Sequence, residues 1–232
     1  MINVNLLNAL EPILSRVRHD VTAAKNAQGK VFRTDDPITS SLIRKHLNGG
    51  PARGVYPILP GESVCRIALL DLDSHKGETS WEDMTSEAMK VIRACAQKGL
   101  EIIPWRSSGG KGIHLYMLWD EPQDAYSVRS LLEEVLASIG YKNGTGGVAN
   151  QQIEIFPKQD KVDEGRFGNQ FFLPLTGKSL PLETLFDLEV MEPEYAISID
   201  WKTSKPVTKR EKPKLPTKVL PTYSNNDSAA IK

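Results

Sequence analysis

The chain has no excess charge of either sign: its 232 residues carry 29 Lys and Arg against 29 Asp and Glu, a formal net charge of zero. That excludes a uniformly basic coat for nucleic acid, though not a local basic groove. It has only two cysteines, Cys65 and Cys95, with no histidine spacing that would complete a structural zinc site around them. Cys65 falls in an apolar strand-like run and Cys95 on an apolar helix face, so both read as small core residues. No apolar run reaches membrane length and no secretory leader opens the sequence, so the reading is a soluble, intracellular chain. No internal repeat is visible. The length suffices for one large domain, or two small ones, with a real core.

The most informative segment is Val64-Cys65-Arg66-Ile67-Ala68-Leu69-Leu70 followed by Asp71-Leu72-Asp73. The apolar run reads as a buried strand. Such a strand rarely ends in two carboxylates unless something positive neutralises them, because burying unpaired charge is costly. Asp71 and Asp73 flank Leu72 and so point to the same face. A divalent cation is the natural partner, and hard oxygen ligands suit Mg²⁺ or Mn²⁺.

Around this segment the chain alternates helix and strand. Residues 3–17 carry Leu6, Leu7, Leu10, Ile13 and Leu14 at helical spacing, with Pro12 interrupting the register. Residues 24–33 read as a polar loop, and Asp36-Pro37 as the start of a helix that Gly49-Gly50 stops. A short strand follows near Gly54-Val55-Tyr56-Pro57. Ser80, with Asp83 at the capping-box position, opens a helix whose stripe is Met84, Ala88, Val91, Ile92 and Cys95. Strands are expected over residues 100–105, 113–119, 153–156 and 170–175, and a helix over 123–139. Residues 143–150 are glycine-rich and read as a mobile loop. Beyond Trp201, Lys202, Lys205, Lys209, Arg210, Lys212, Lys214 and Lys218 interleave with Pro206, Pro213, Pro216 and Pro221, and little apolar remains. The expectation is a folded domain over residues 1–200 and a basic, disordered linker or tail over 201–232.

Two further segments could carry chemistry. Ser108-Gly109-Gly110-Lys111-Gly112-Ile113-His114 lies between two strands. Its glycines allow close backbone approach and free several N–H groups for an anion, and Lys111 adds a point charge. His114 opens a strand and should face away from Leu115, Met117 and Trp119. Taken alone, such a segment is more often a plain turn than a phosphate site. Glu154, between Ile153 and Ile155, should face away from the side on which the isoleucines pack. Paired carboxylates, a phosphate-like turn and a third strand-borne acid together form the inventory of a two-metal phosphoryl-transfer site.

In their order, these motifs resemble the archaeo-eukaryotic primase superfamily, marked by an acid-x-acid pair after an apolar strand, a serine-to-histidine glycine motif and a later acid after an apolar residue. Leu70-Asp71-Leu72-Asp73, the Ser108 to His114 motif and Ile153-Glu154 stand in those places. Flanks such as Gly54-Val55-Tyr56-Pro57, Phe156-Pro157-Lys158-Gln159-Asp160 and Phe167-Gly168-Asn169 are similar to the primase-polymerase branch of phage, mobile-element and conflict systems, over roughly residues 36–177. The resemblance implies an α/β fold in which an N-terminal α/β unit and an RRM-like catalytic sheet enclose the site. It implies metal binding by Asp71, Asp73 and Glu154, with His114 also catalytic. Nucleotide contacts would come from Ser108, Gly109, Lys111, His114 and Arg106, and weaker nucleic-acid contacts from Lys158 and Arg166. The implied activity is template-directed joining of NTPs or dNTPs on single-stranded or primed DNA, in the cytoplasm of a prokaryotic or phage-infected cell, alongside a fused or associated helicase or priming-assist domain. Two other readings remain. A haloacid-dehalogenase-type phosphatase could use Asp71 and Asp73, although His75 stands where that motif has Thr or Val. A non-catalytic nucleic-acid-binding module could have kept the fold.

Overall fold

The structure, a computed structural model, describes residues 4–26, 29–184 and 187–213. In chain order the elements are α1 (Val4–Ala9), α2 (Glu11–Leu14), β1 (Thr22–Lys25), β2 (Val31–Thr34), α3 (Ser40–Leu47), β3 (Arg53–Val55), β4 (Val64–Leu72), α4 (Trp81–Gln97), β5 (Ile103–Arg106), β6 (Ile113–Asp124), α5 (Ala125–Ser138), β7 (Lys142–Asn143), β8 (Gln152–Phe156), β9 (Phe171–Phe172), β10 (Leu182–Glu183) and β11 (Glu189–Val190). A five-stranded sheet runs β5-β6-β4-β8-β7, and a four-stranded sheet runs β2-β1-β3-β9. The chain is mixed α/β, as expected.

The central sheet is buried on both faces, which is why its strands read as near-continuous apolar runs. On one face Ala68, Leu70, Leu72, Leu115, Met117, Trp119, Ile153 and Ile155 pack under α4 and α5. On the other, Ile67, Leu69, Trp105, Tyr116, Leu118 and Phe156 meet the N-terminal helices, Ile43 of α3, and Val55 and Phe171 of the small sheet. Both covering helices start where their caps dictate. The Ser80 hydroxyl accepts from the Asp83 N–H at 3.0 Å, and Asp124 Oδ1 accepts from the Ser127 N–H at 2.8 Å.

The structure corrects several local expectations. The N-terminal helical pattern is two short helices, with Pro12 in the first turn of the second, where its missing N–H costs nothing. Of residues 24–33, the described ones (24–26 and 29–33) are not a loop but belong to the β1–β2 hairpin, which pairs Lys25 with Val31 and has Asn26 Oδ1 accepting from the Lys30 N–H at 2.8 Å. Ala23, Ala24 and Lys25 have weak strand propensity, and pairing with β2 and β3 overrides it. Helix α3 is capped by Thr39, whose hydroxyl accepts from the Leu42 N–H at 3.1 Å. Asp36 lies too far upstream to cap this helix, and its carboxylate pairs instead with Arg53 at 2.9 Å. The glycine-rich stretch 143–150 is tied down: Gln152 Oε1 accepts from the Gly146 N–H at 3.0 Å, and the Val148 N–H reaches Asp73 O at 3.0 Å.

Residues 201–213 are likewise not a free linker. Trp201 stacks on Trp105 with ring centroids 6.2 Å apart. The Ser204 N–H donates to Leu118 O at 2.7 Å and Trp119 Nε1 donates to Lys205 O at 2.9 Å. The Arg210 N–H meets Ser127 Oγ at 2.8 Å. These contacts are backbone hydrogen bonds and one aromatic ring, which leave no apolar periodicity to read. Lys214, Pro216, Lys218 and Pro221 lie outside the described residues.

Candidate active site

Strand register assembles the site. Across β4, Asp71 pairs with His114 of β6 on one side and with Glu154 of β8 on the other. His114 in turn pairs with Trp105 of β5. Paired residues share a face, so Glu154, Asp71 and His114 form one row, and Asp73 stands two residues beyond Asp71 on the same side. This is the face that holds Ile67, Leu69 and Tyr116; at its end the apolar pattern gives way to polar groups. Opposite stand Lys25 of β1 and Phe171 and Phe172 of β9. A cleft of about 430 Å³ lies between, lined also by Ser107, Ser108, Gly109, Lys111, Gly112, Phe156, Lys158, Asn169 and Gln170.

The glycine turn is built to press against the acids. The Ser107 N–H donates to Gly112 O at 2.8 Å, and Ser107 Oγ accepts from the Gly112 N–H at 3.1 Å. A Cβ on Gly112 would lie 2.4 Å from Leu72 O and 3.2 Å from Asp73 Oδ1, so any larger residue would push the turn off the acidic strand. Gly147 backs the other side: at φ +80° it lies where a Cβ would meet Asp73 O at 2.9 Å.

Electrostatics set Asp71 apart. Burial, then the neighbouring charges of Asp73 and Glu154, push its carboxyl well above the usual carboxylate range, and Lys158 and Lys25 only partly offset this. Burial, with a smaller contribution from Lys25, lowers His114 to about 4. His114 is therefore neutral near pH 7, and its Nε2, 3.4 Å from Asp71 Oδ1, makes no ion pair there. Asp71 Oδ1 and His114 Nδ1 are buried without a hydrogen-bond partner. An orphaned carboxylate oxygen amid like charges is the environment a hard cation relieves, and the all-oxygen donor set of Asp71, Asp73 and Glu154 fits Mg²⁺ or Mn²⁺. Among the described residues no three such side chains are yet grouped closely enough to hold an ion. Glu154 is drawn instead to Lys158, whose Nζ sits on its Oε1.

Of the residues singled out from sequence, Asp71, Asp73, Ser108, Gly109, Lys111, His114, Glu154 and Lys158 line one cleft. Arg106 and Arg166 do not. Arg106 Nε donates to Gly110 O at 2.9 Å and its guanidinium lies 4.6 Å from the centre of the Trp81 ring, so it braces the turn from behind. Arg166 is exposed, and its carbonyl accepts from Arg18. Sequence reading missed Lys25, Gln170 and Phe172. Lys25 Nζ lies 5.4 Å from the centre of the Phe172 ring, and both face the acids. The run Val21-Thr22-Ala23-Ala24-Lys25 carries no alternation that would have marked it, and its alanines have weak strand propensity.

Among the described residues no helix is long and apolar enough to cross a membrane. The family model of the archaeo-eukaryotic primase domain of TOTE conflict systems matches residues 13–193. Among solved structures, the chain is similar to the polymerase domain of Mycobacterium tuberculosis ligase D in complex with DNA. That similarity has 15% identity and a TM-score of 0.47, and covers 83% of this chain and 86% of that one. It is also similar to the AEP domain of the cyanophage S-2L primase-polymerase, with 16% identity and a TM-score of 0.40 over 70% of this chain and 94% of that one. No curated protein matches. The family match spans most of the sequence, including both acid-bearing strands and the glycine turn, and on that ground the chain belongs to the archaeo-eukaryotic primases of TOTE conflict systems.

Proposed function

We propose that this chain is a template-directed nucleotidyltransferase, a DNA primase-polymerase that joins NTPs or dNTPs on single-stranded or primed DNA. The observation that carries the reading is the register row Glu154–Asp71–His114, facing a glycine turn across one cleft. Asp71, Asp73 and Glu154 would hold two Mg²⁺ or Mn²⁺ ions. When bound, such ions supply Lewis-acid charge that activates a 3′-hydroxyl and neutralises the departing pyrophosphate.

The remaining work falls to the chain's own groups. Ser108, Gly109 and Lys111 offer a hydroxyl, backbone N–H groups and a positive charge to a triphosphate. His114, kept neutral, can give one ring N–H to a phosphate oxygen without adding charge to the floor of the cleft. Lys25 and Phe172 form the wall opposite the acids, where a sugar and base would lie. Burial of the row strengthens each of these interactions relative to open water. In the reaction, the 3′-oxygen attacks the α-phosphorus, the bond to the β-phosphate oxygen breaks, and pyrophosphate leaves. A helicase or priming-assist partner would supply template opening or primer initiation.

The test is incorporation of labelled NTP or dNTP on circular single-stranded DNA, with Mg²⁺ or Mn²⁺, with and without primer. Template-dependent product, abolished in the Asp71→Ala/Asp73→Ala double variant, is the expected result. No product under any combination, or undiminished product from the folded double variant, would refute the assignment.

A further inference from the structure

Glu154 stands in a different state from the two aspartates. Its Oε1 is already held by Lys158 Nζ, and the two side chains are 19% and 34% exposed. The lysine comes from the turn after β8, four residues along the chain. Two anchors steady that turn without touching the acids: Asp160 is paired with Arg129 and, at 2.9 Å, with Lys212. The ammonium also lies 4.8 Å from the centre of the Phe156 ring, an electron-rich face that offers it a second seat.

An ammonium and a dication drawn to the same carboxylate compete for it, because the two cations repel at contact distance. We propose that Lys158 is a stand-in counter-ion. It neutralises Glu154 while no divalent cation is bound, retreats toward Phe156 when one arrives, and so sets how tightly the site takes its metal. The inference rests on the reading of Asp71, Asp73 and Glu154 as metal ligands. It explains why three acids share a cleft without collapsing into a cage: the third is parked on a lysine. The ion pair is partly exposed and carried on a flexible stem, so releasing it costs little.

The test is calorimetric titration of Mn²⁺ alone, without nucleotide, into the full chain and its variants. Lys158→Met keeps the stem over Phe156 and removes the charge. It is expected to bind Mn²⁺ about two- to fivefold more tightly than wild type, the size of one part-exposed ion pair. Its metal-free form should melt roughly 1–3 °C lower in chelator. Lys158→Gln should tighten binding equally. In a Glu154→Gln background, adding Lys158→Met should tighten Mn²⁺ binding clearly less than it does beside an intact Glu154, since only the ammonium's longer-range field on Asp71 is then left to remove. Equal or weaker binding by both lysine variants would overturn the stand-in role while leaving the metal site intact. Absence of Mn²⁺ binding by every variant, wild type included, would overturn both.

Discussion

On the face of the central sheet that α4 and α5 cover, β4 contributes Ala68, Leu70 and Leu72. On the face turned toward the small sheet, the same strand and the residue beyond it contribute Ile67, Leu69, Asp71 and Asp73. β6 and β8 repeat the contrast, with Leu115 and Met117 against His114, and Ile153 and Ile155 against Glu154. The backbone is common to both faces; only the alternate residues at the strand ends differ. A site can thus be cut into a sheet by changing the last one or two outward positions, while the opposite face keeps the strands in register. The contrast also divides the expected effects of mutation, with function on one side and stability on the other.

The sharpest division should come from the acids. Asp73→Ala or Glu154→Ala is expected to slow nucleotide incorporation by at least about 10²–10³-fold, with little change in the thermal unfolding midpoint. Activity assays and scanning calorimetry on the same preparations would check this. Leu70→Ala, one residue from Asp71 but facing α4, should do the reverse. It should cost about 2–5 kcal/mol in denaturant unfolding, while the fraction still folded keeps its incorporation rate. A third variant, Trp201→Ala, probes the segment that wraps the body. Loss of its stacking on Trp105 should cost about 1–3 kcal/mol without affecting catalysis; destabilisation near zero would return residues 201–213 to the status of a linker.

The smallest effect concerns His46, on α3, away from the acids. Its Nε2–H donates to Pro174 O at 2.8 Å, and its Nδ1 accepts from the Arg53 N–H at 3.1 Å. Burial holds its pKa below 6.5. The folded state thus binds this proton less readily than the unfolded state does. The stability it contributes is complete above pH 6.5 and is lost as pH falls toward the folded value. The slope should approach ~1.4 kcal/mol per pH unit, and His46→Asn should remove that component from urea titrations run between pH 5 and 7.

How much of this was legible beforehand follows from the signals available. The Ser80 cap, the stripe of α4, the helix expected over residues 123–139 and the strand ending in Asp71 and Asp73 all obey local signals, and the structure follows them. The orientations of His114 and Glu154 also followed from alternation alone. What escaped was set by distant partners. Lys25 became part of a strand only through its pairing with Val31 of β2, in a hairpin whose Ala23 and Ala24 pair with β3. Asp36 pairs with Arg53, 17 residues away, and does not cap α3. The glycines of residues 143–150 read as freedom, yet Gly147 is small because Asp73 O and His75 crowd it. The pairing of Lys158 with Glu154, four residues back across a proline, was likewise not visible in the sequence. Each miss is a contact whose partner could not be inferred from spacing.

We propose that Asp71, in the middle of the row, is a functional acid which the fold tolerates but does not need. Its pKa is raised, so in the absence of metal its ionised form costs stability that grows as pH rises. The direct measurement is single-nucleotide addition to a primed template by Asp71→Asn, paired with its unfolding midpoint in chelator at pH 7. The account predicts a rate reduced by at least about 10²–10³-fold together with a midpoint equal to or above wild type. A near-wild-type rate, or a midpoint well below wild type, would contradict it.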